Sequence, residues 1–228
     1  ITSITAQNTV RVDGVHDVPA DFVAKQIDMV AQDIGVDAAK TGMLSNASIV
    51  HAVAEAVKRN AIEKLVVDPV MVAKSGDILL HDDARDALVR ELLPLAYVVT
   101  PNVPEAEALT GIRVSDMESM QEAARILHAK GPRHVVIKGG HLAGAESIDL
   151  LFDGASFQTF SSARIDTKNT HGTGCTFSAA IAGLLAKGFD VVASVEGAKA
   201  YLTKAIRHAL PLGKGHGPLM HHWMAQDE

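Results

Sequence analysis

The sequence predicts an α/β protein whose mostly parallel sheet is covered by helices on both faces. Three observations carry that expectation. Short, continuous apolar runs rich in β-branched residues recur at 64–68, 96–100 and 134–138, the pattern of parallel strands buried on both sides. Amphipathic stretches of helical period separate or precede them at 19–34, 47–60, 82–93 and 115–130. This alternation continues without linker, repeat or low-complexity segment, so residues 1–228 are expected to form a single domain.

Taken in order, residues 1–6 read as the end of a strand with neither polar lead nor initiator methionine. The first strand of the fold is therefore expected to lie upstream of Ile1. Residues 10–18 alternate in polarity and predict a small flap, spanning about 9–18. In the helix over 47–60, Ile49, Val53, Ala56 and Val57 form the apolar stripe, with Glu55, Lys58 and Arg59 off it. Gly35 and Gly131 sit where helices should stop. Residues 148–165 predict a hairpin turning at Asp153-Gly154, and 190–210 a last helix.

The most informative stretch is Thr167-Lys168-Asn169-Thr170-His171-Gly172-Thr173-Gly174-Cys175-Thr176. Two glycines flank a threonine, and an apolar run of small residues follows to Lys187-Gly188. That is a tight loop opening onto a buried helix. The first amides of a helix lack intrahelical partners and lie at the positive end of its dipole, so the loop predicts an anion hole. Cys175, the one cysteine in the chain, falls on the first turn, where its pKa is expected to drop. Glycine pairs also make plain turns, and a lone cysteine also serves as a small apolar filler. The polar lead-in from Lys168 to His171 favours a ligand site.

In open α/β sheets ligands bind beyond the carboxyl ends of the strands. Asp68, the pair Asn102 and Glu105, and Lys138-Gly139-Gly140-His141 all follow predicted strands. Mg²⁺ takes a few carboxylate or carbonyl oxygens with water and phosphate, which makes Asp68, Asn102 and Glu105 candidates to hold it through water. Asn102 with Glu105 also has the spacing of a capping box, and the two readings stand level on spacing. Gly213-Lys214-Gly215 lacks the remaining residues of a phosphate-binding P-loop and is expected to shape a turn. His221 and His222 are expected on a solvated tail.

Composition narrows the function classes. Net charge is −6 with 47% hydrophobic and 21% charged residues, which argues against nucleic acid or an anionic membrane as a partner. No apolar run approaches the ~20 residues of a membrane span. One cysteine cannot form an intrachain disulfide and suits a cytoplasmic setting.

Taken together, Ala6-Gln7-Asn8-Thr9, Lys40-Thr41-Gly42-Met43-Leu44, Asp68-Pro69-Val70-Met71, Thr100-Pro101-Asn102 with Glu105, Lys138-Gly139-Gly140-His141 and the 169–175 loop resemble the ribokinase-like superfamily. Within it, they resemble the hydroxymethylpyrimidine and hydroxymethylpyrimidine-phosphate kinases of thiamine biosynthesis. Most sugar-kinase relatives carry aspartate where this chain has Cys175, which narrows the resemblance to these pyrimidine kinases and a related group of pyridoxal kinases. The resemblance implies a three-layer sandwich and ATP-dependent phosphorylation of 4-amino-5-hydroxymethyl-2-methylpyrimidine and then its monophosphate, with Mg²⁺. It makes Cys175 the base and Gly172, Thr173 and Gly174 the anion hole. Gln7 and Met43 become the pyrimidine contacts, and Lys138, Gly139, Gly140 and Thr170 the nucleotide contacts. The family's opening strand and its glycine-rich substrate segment are not among residues 1–228 and are expected upstream of Ile1. A pyridoxal kinase and a non-catalytic ligand-binding relative remain the alternatives, and a homodimer is compatible with the family.

Overall fold

A computed structural model of the chain describes residues 1–72, 76, 82–142 and 144–226. Six strands form the main sheet in the order β3 (Ala39–Thr41), β4 (Leu65–Val67), β5 (Val98–Val99), β6 (His134–Ile137), β7 (Glu146–Phe152), β8 (Phe157–Ala163). The first four run parallel and the last two are added antiparallel. Separately, β1 (Ser3–Gln7) and β2 (Val12–Asp17) pair antiparallel, with an irregularity between Ala6 and Gln7. The alternating stretch read as a flap thus includes one arm of a two-stranded ribbon.

The period of two along each strand divides the core. Leu65, Val67, Val99, Val135 and Ile137 pack on one side, with α2 (Ala47–Arg59), α4 (Val103–Thr110) and α5 (Met117–His128). Val66, Val98, Val136 and Leu151 pack on the other, against α6 (Thr173–Ala186) and α7 (Val191–Arg207). All five named strand residues of the first side and all four of the second are buried, as the uninterrupted apolar runs require. The result is the three-layer, ribokinase-like arrangement expected from the sequence.

The helices start and stop for identifiable reasons. Asn46, Asn102, Asp116 and Asp190 cap α2, α4, α5 and α7 by accepting from the third residue onward. Gly35, with φ of 88°, follows α1 (Ala20–Asp33), and Gly131, with φ of 114°, follows α5. The segment 82–93 is not one helix. α3 (Asp82–Ala87) passes into a π-helical turn, Leu88–Leu92, then a 3₁₀ turn, Leu93–Leu95, where Pro94 offers no amide to continue the ladder. In the β7–β8 hairpin, Asp153 accepts from the amides of Ala155 and Ser156, which lowers its pKa to about 2, and Gly154 takes φ of 94°. In the sequence, strand β3 gives no signal and helix α4 only the capping-box spacing at its start. Both are short, and neither shows a run long enough to display its period.

Near the carboxyl terminus, Gly213, Gly215 and Gly217 do shape a turn, by close approach. A Cβ on Gly213 or Gly215 would overlap Thr9, and one on Gly217 would overlap the Asn169 amide oxygen. His216 donates its amide to the Thr9 carbonyl (2.9 Å), and His171 donates its amide to the Gly217 carbonyl (3.1 Å). One strap therefore ties the β1–β2 ribbon to the loop before α6. His221 and His222 are exposed as expected, but they are not on a free tail. The Tyr201 hydroxyl donates to the His221 carbonyl (2.6 Å), and Leu219, Met220 and Trp223 are buried together with Ala205.

A buried ion pair fastens α7 to the sheet. Lys199 Nζ donates to Asp149 Oδ2 (2.8 Å) and to the Ser147 carbonyl (2.7 Å). Asp149 Oδ1 accepts the Gly139 amide (3.0 Å). Lys199→Met leaves that carboxylate buried without its cation, so it should cost roughly 3–5 kcal/mol in urea unfolding. Adding Asp149→Asn, which removes the stranded charge and keeps an acceptor for Gly139, should recover most of that loss.

Candidate active site

Continuing two residues beyond Val66, Val98 and Val136 on the same face gives Asp68, Thr100 and Lys138. The apolar row under α6 thus becomes a polar row as the strands end. Asp68 is 1% exposed. Its Oδ1 accepts from Lys138 Nζ (2.7 Å) and the Thr100 hydroxyl (3.2 Å), and its Oδ2 accepts from the Ser178 hydroxyl of α6 (3.2 Å). Lys40 Nζ, from β3, lies 3.8 Å from Oδ2. Burial works to raise the Asp68 pKa, but Lys138 and Lys40 outweigh it and hold the carboxyl below its ordinary value. Lys138 mirrors this: burial opposes its charge, Asp68 and Glu105 favour it, and its pKa ends raised.

Glu105 lies beside this pair, with Oε2 at 3.9 Å from Lys138 Nζ. It also completes the capping box of α4: Oε2 accepts the Asn102 amide (2.7 Å), while Asn102 Oδ1 accepts the Glu105 amide (2.9 Å). Spacing had left capping and a site role level, and the capping geometry is present in full. Capping does not remove Glu105 from the site, because its carboxylate faces Lys138 at the same time. Burial, partly countered by Lys138 and reinforced by Asp68, pushes the Glu105 pKa up to about 7.

Helix α6 begins differently from its neighbours. Its cap is Gly172, in the left-handed region with φ of 82°, and no side chain bonds to the first amides. The first four-residue backbone bond runs from the Thr176 amide to the Gly172 carbonyl (2.8 Å), so the amides of Gly174 and Cys175 precede the helical ladder. A Cβ on Gly174 would lie 3.2 Å from Lys138 Nζ, which sets the lysine against the opening of the helix. Uncovered amides beside an ammonium can hold an anion with several acceptor oxygens.

Cys175 is exposed at this edge, yet its pKa moves opposite to the expectation from helix position alone. Desolvation of the sulfur raises it, with Asp68 and Glu105 adding to the rise, and Lys40 and Lys138 only partly compensate. The thiol is therefore mainly protonated near neutrality and makes a modest base.

The structure gathers Asp68, Asn102, Glu105, Lys138, Gly174 and Cys175 on one edge. Thr170 and Thr173 line the loop into α6, with a weak bond from the Thr173 amide to the Thr170 carbonyl (3.4 Å). Gln7 is exposed at the end of β1, and Met43 is tied to the ribbon through its carbonyl, which accepts from Thr2 Oγ1 (2.8 Å). Gly139 owes its lack of a side chain to packing, since a Cβ there would overlap the Ile148 carbonyl oxygen. Gly140 is exposed and its carbonyl accepts from Arg164 (2.7 Å). Asp68, expected near a metal, has both oxygens engaged by lysines and hydroxyls. Two cavities of about 580 and 320 Å³, lined around Arg85 and Lys130 and around Tyr97 and Asp190, include none of these residues. The candidate site is an open edge and not either cavity.

Sequence reasoning assigned no role to Lys40 or Ser178. Ser178 carried a usable signal, as a hydroxyl one turn after Gly174 in a largely apolar helix, whereas Lys40 lies in a strand too short to show its period.

Comparisons with known proteins give the family. The family described as phosphomethylpyrimidine kinase matches residues 1–220. The chain belongs to that family. It is 54% identical over 227 residues to the thiamine biosynthesis bifunctional protein ThiED of Geobacter sulfurreducens, covering all of this chain but 46% of that longer protein. It is 45% identical over 222 residues to the hydroxymethylpyrimidine/phosphomethylpyrimidine kinase of Bacillus subtilis, covering 97% of this chain and 82% of the relative. Among solved structures, an ADP complex of Bacillus subtilis pyridoxal kinase superimposes with a TM-score of 0.90 at 36% identity, covering 99% of this chain and 86% of that one.

The Glu105 carboxyl gives a pH prediction. Its folded pKa of about 7 lies above the ordinary 4.5, so between those values the folded protein binds more protons than the unfolded chain. Its contribution to stability is complete below about pH 4.5 and is lost as pH rises through 7, by up to roughly 1.4 kcal/mol per pH unit. Subtracting the pH profile of Glu105→Gln, measured by urea unfolding, from that of the wild type should isolate this downward slope.

Proposed function

We propose that this chain transfers a phosphoryl group from ATP to the hydroxymethyl group of 4-amino-5-hydroxymethyl-2-methylpyrimidine, and then transfers a second to the resulting monophosphate. The observation that carries this reading is the uncapped start of α6, with Cys175 on its first turn and Lys138 against Gly174, in a chain of the phosphomethylpyrimidine kinase family. Phosphoryl transfer asks little covalent chemistry of the protein and much positioning and charge stabilisation. The Gly172–Gly174 amides and Lys138 receive the transferred group. Lys138 and Thr170 border the nucleotide phosphates. Gln7 offers the paired donor and acceptor of its amide to the aminopyrimidine edge, and Met43 lies along the ring. A cytoplasmic setting suits both the free thiol of Cys175 and the use of ATP.

Magnesium fits this site in one form only. Among the described residues, no three His, Cys, Asp or Glu side chains converge as a ligand set. Asp68 is committed to its lysines, so Glu105, oriented by Asn102, would hold the ion through water together with nucleotide phosphate. Bound there, it would offset charge on the phosphate oxygens.

Cys175 matters unequally to the two steps. An alcohol must lose a proton to attack, whereas a phosphomonoester with a second pKa near ~6 is already largely dianionic. A thiol with a raised pKa is tolerable if the second step carries most of the flux. The likeness to a pyridoxal kinase keeps that substrate as a second reading, and parallel rates with pyridoxal and the pyrimidine alcohol separate the two. Cys175→Ala should lower turnover of the alcohol by ~10²–10⁴-fold while lowering that of the monophosphate much less. Equal losses on both, in steady-state assays of the purified protein, would remove Cys175 as the base.

A further inference from the structure

We propose that Lys40 binds the substrate's own phosphate when the monophosphate occupies the site, and so sets specificity for the second phosphorylation. The inference rests on the pyrimidine kinase reading and adds a residue which that reading leaves without a role.

The first argument is an ammonium with spare donors. Lys138 gives Asp68 a hydrogen bond of 2.7 Å, while Lys40 stands 3.8 Å away, beyond hydrogen-bond reach. Among the described residues that ion pair is the one polar contact recorded for Lys40 Nζ, and its side chain is 18% exposed beside a carboxylate that is 1% exposed. Two lysines thus face one carboxylate, and the shorter pairing goes to Lys138. An ammonium held by one long ion pair among the described residues keeps its three donors available to an incoming anion.

Position decides which anion. Lys40 pairs in register with Val66, the residue two before Asp68, so its side chain shares the α6 face with Asp68. Lys138 reaches Gly174 on the α6 side of Asp68. Lys40 instead folds over Gly42, where a Cβ would come within 2.7 Å of Nζ. Gly42 adjoins Met43, the proposed ring contact. Lys138 therefore serves the transferred group, while Lys40 acts both at Gly42, beside the proposed ring contact, and, more strongly than Lys138, on the Cys175 thiol, which is where a phosphate on the reacting arm would lie.

Chemistry supplies the need. The alcohol is neutral at the reacting arm, whereas the monophosphate carries about −1.5 to −2 charges at pH 7. One site that accepts both must meet that charge without depending on it in the first step. A lysine, as a mobile point charge, can do so, because it can rest near Asp68 until the phosphate arrives.

The test compares Lys40→Met and Lys40→Arg with the wild type, using the pyrimidine alcohol and its monophosphate as probes. Calorimetry without nucleotide gives each dissociation constant, and steady-state assays give each kcat and KM. Lys40→Met should weaken the monophosphate at least tenfold more than the alcohol, with the loss in KM more than in kcat, and Lys40→Arg should recover part of it. Similar losses on both probes, or no loss on either, would overturn the assignment. If Lys40→Met fails to fold, Lys40→Gln serves the same comparison. Failure of the function reading is distinguishable: wild-type protein would then neither bind nor turn over either probe, whereas failure of the Lys40 assignment alone leaves wild-type turnover intact and makes Lys40→Met affect both probes alike.

Discussion

A carboxylate buried to 1% exposure keeps its charge only if cations meet it, and Asp68 is met by Lys138 and Lys40. Much of the candidate site follows from that requirement. Asp68 follows β4, Lys138 follows β6 and Lys40 lies in β3, so one carboxylate ties together three parallel strands at the edge where they stop. Through Ser178 it also fastens the first turns of α6, which carry Cys175 and the open amides. The same charges shape the titrating groups nearby: Asp68 raises Lys138, and Lys138 only partly counters the burial that lifts Glu105 to about 7.

Two further constraints keep the edge open to a ligand. Four of the other helices bury their first amides under an Asn or Asp side chain, while α6 begins at a left-handed glycine and leaves its amides to whatever binds. The strap of three glycines then holds the loop before α6 against Thr9, so the approach to those amides is fixed by backbone contact. On the far side of Lys138, the Asp149–Lys199 pair secures the Gly139 amide, and with it the peptide that leads out of the lysine. The lysine is thus held at its tip by Asp68 and at its root by Asp149.

Much of this was legible in the residues. The apolar runs ending at Asp68, Thr100 and Lys138 gave the parallel strands and the edge at which ligands gather, and the glycine pair before an apolar helix gave the open start of α6. Period-two reasoning carried two residues further would also have placed Asp68 and Lys138 on the face of α6. Ion pairing across strands could not be read, because Lys40, Asp68 and Lys138 are far apart in sequence and any of them could have faced solvent. For the same reason the partners of the Asp68 oxygens, Lys138, Lys40, Thr100 and Ser178, cannot be read from spacing. Helix position alone misplaces the Cys175 pKa, because desolvation and the charges of Asp68 and Glu105 raise it. Lys199 and Asp149 gave no signal at all, since a lysine within an amphipathic helix ordinarily faces water.

If Asp68 and Lys138 organise the candidate edge as one unit, a double-mutant cycle shows it most directly. Turnover of the pyrimidine monophosphate would be measured for Asp68→Asn, Lys138→Met and the double variant, each checked for folding by circular dichroism. If the two residues form one unit, the double variant loses no more than about the worse single variant. Losses that instead multiply, as for independent residues, would contradict it.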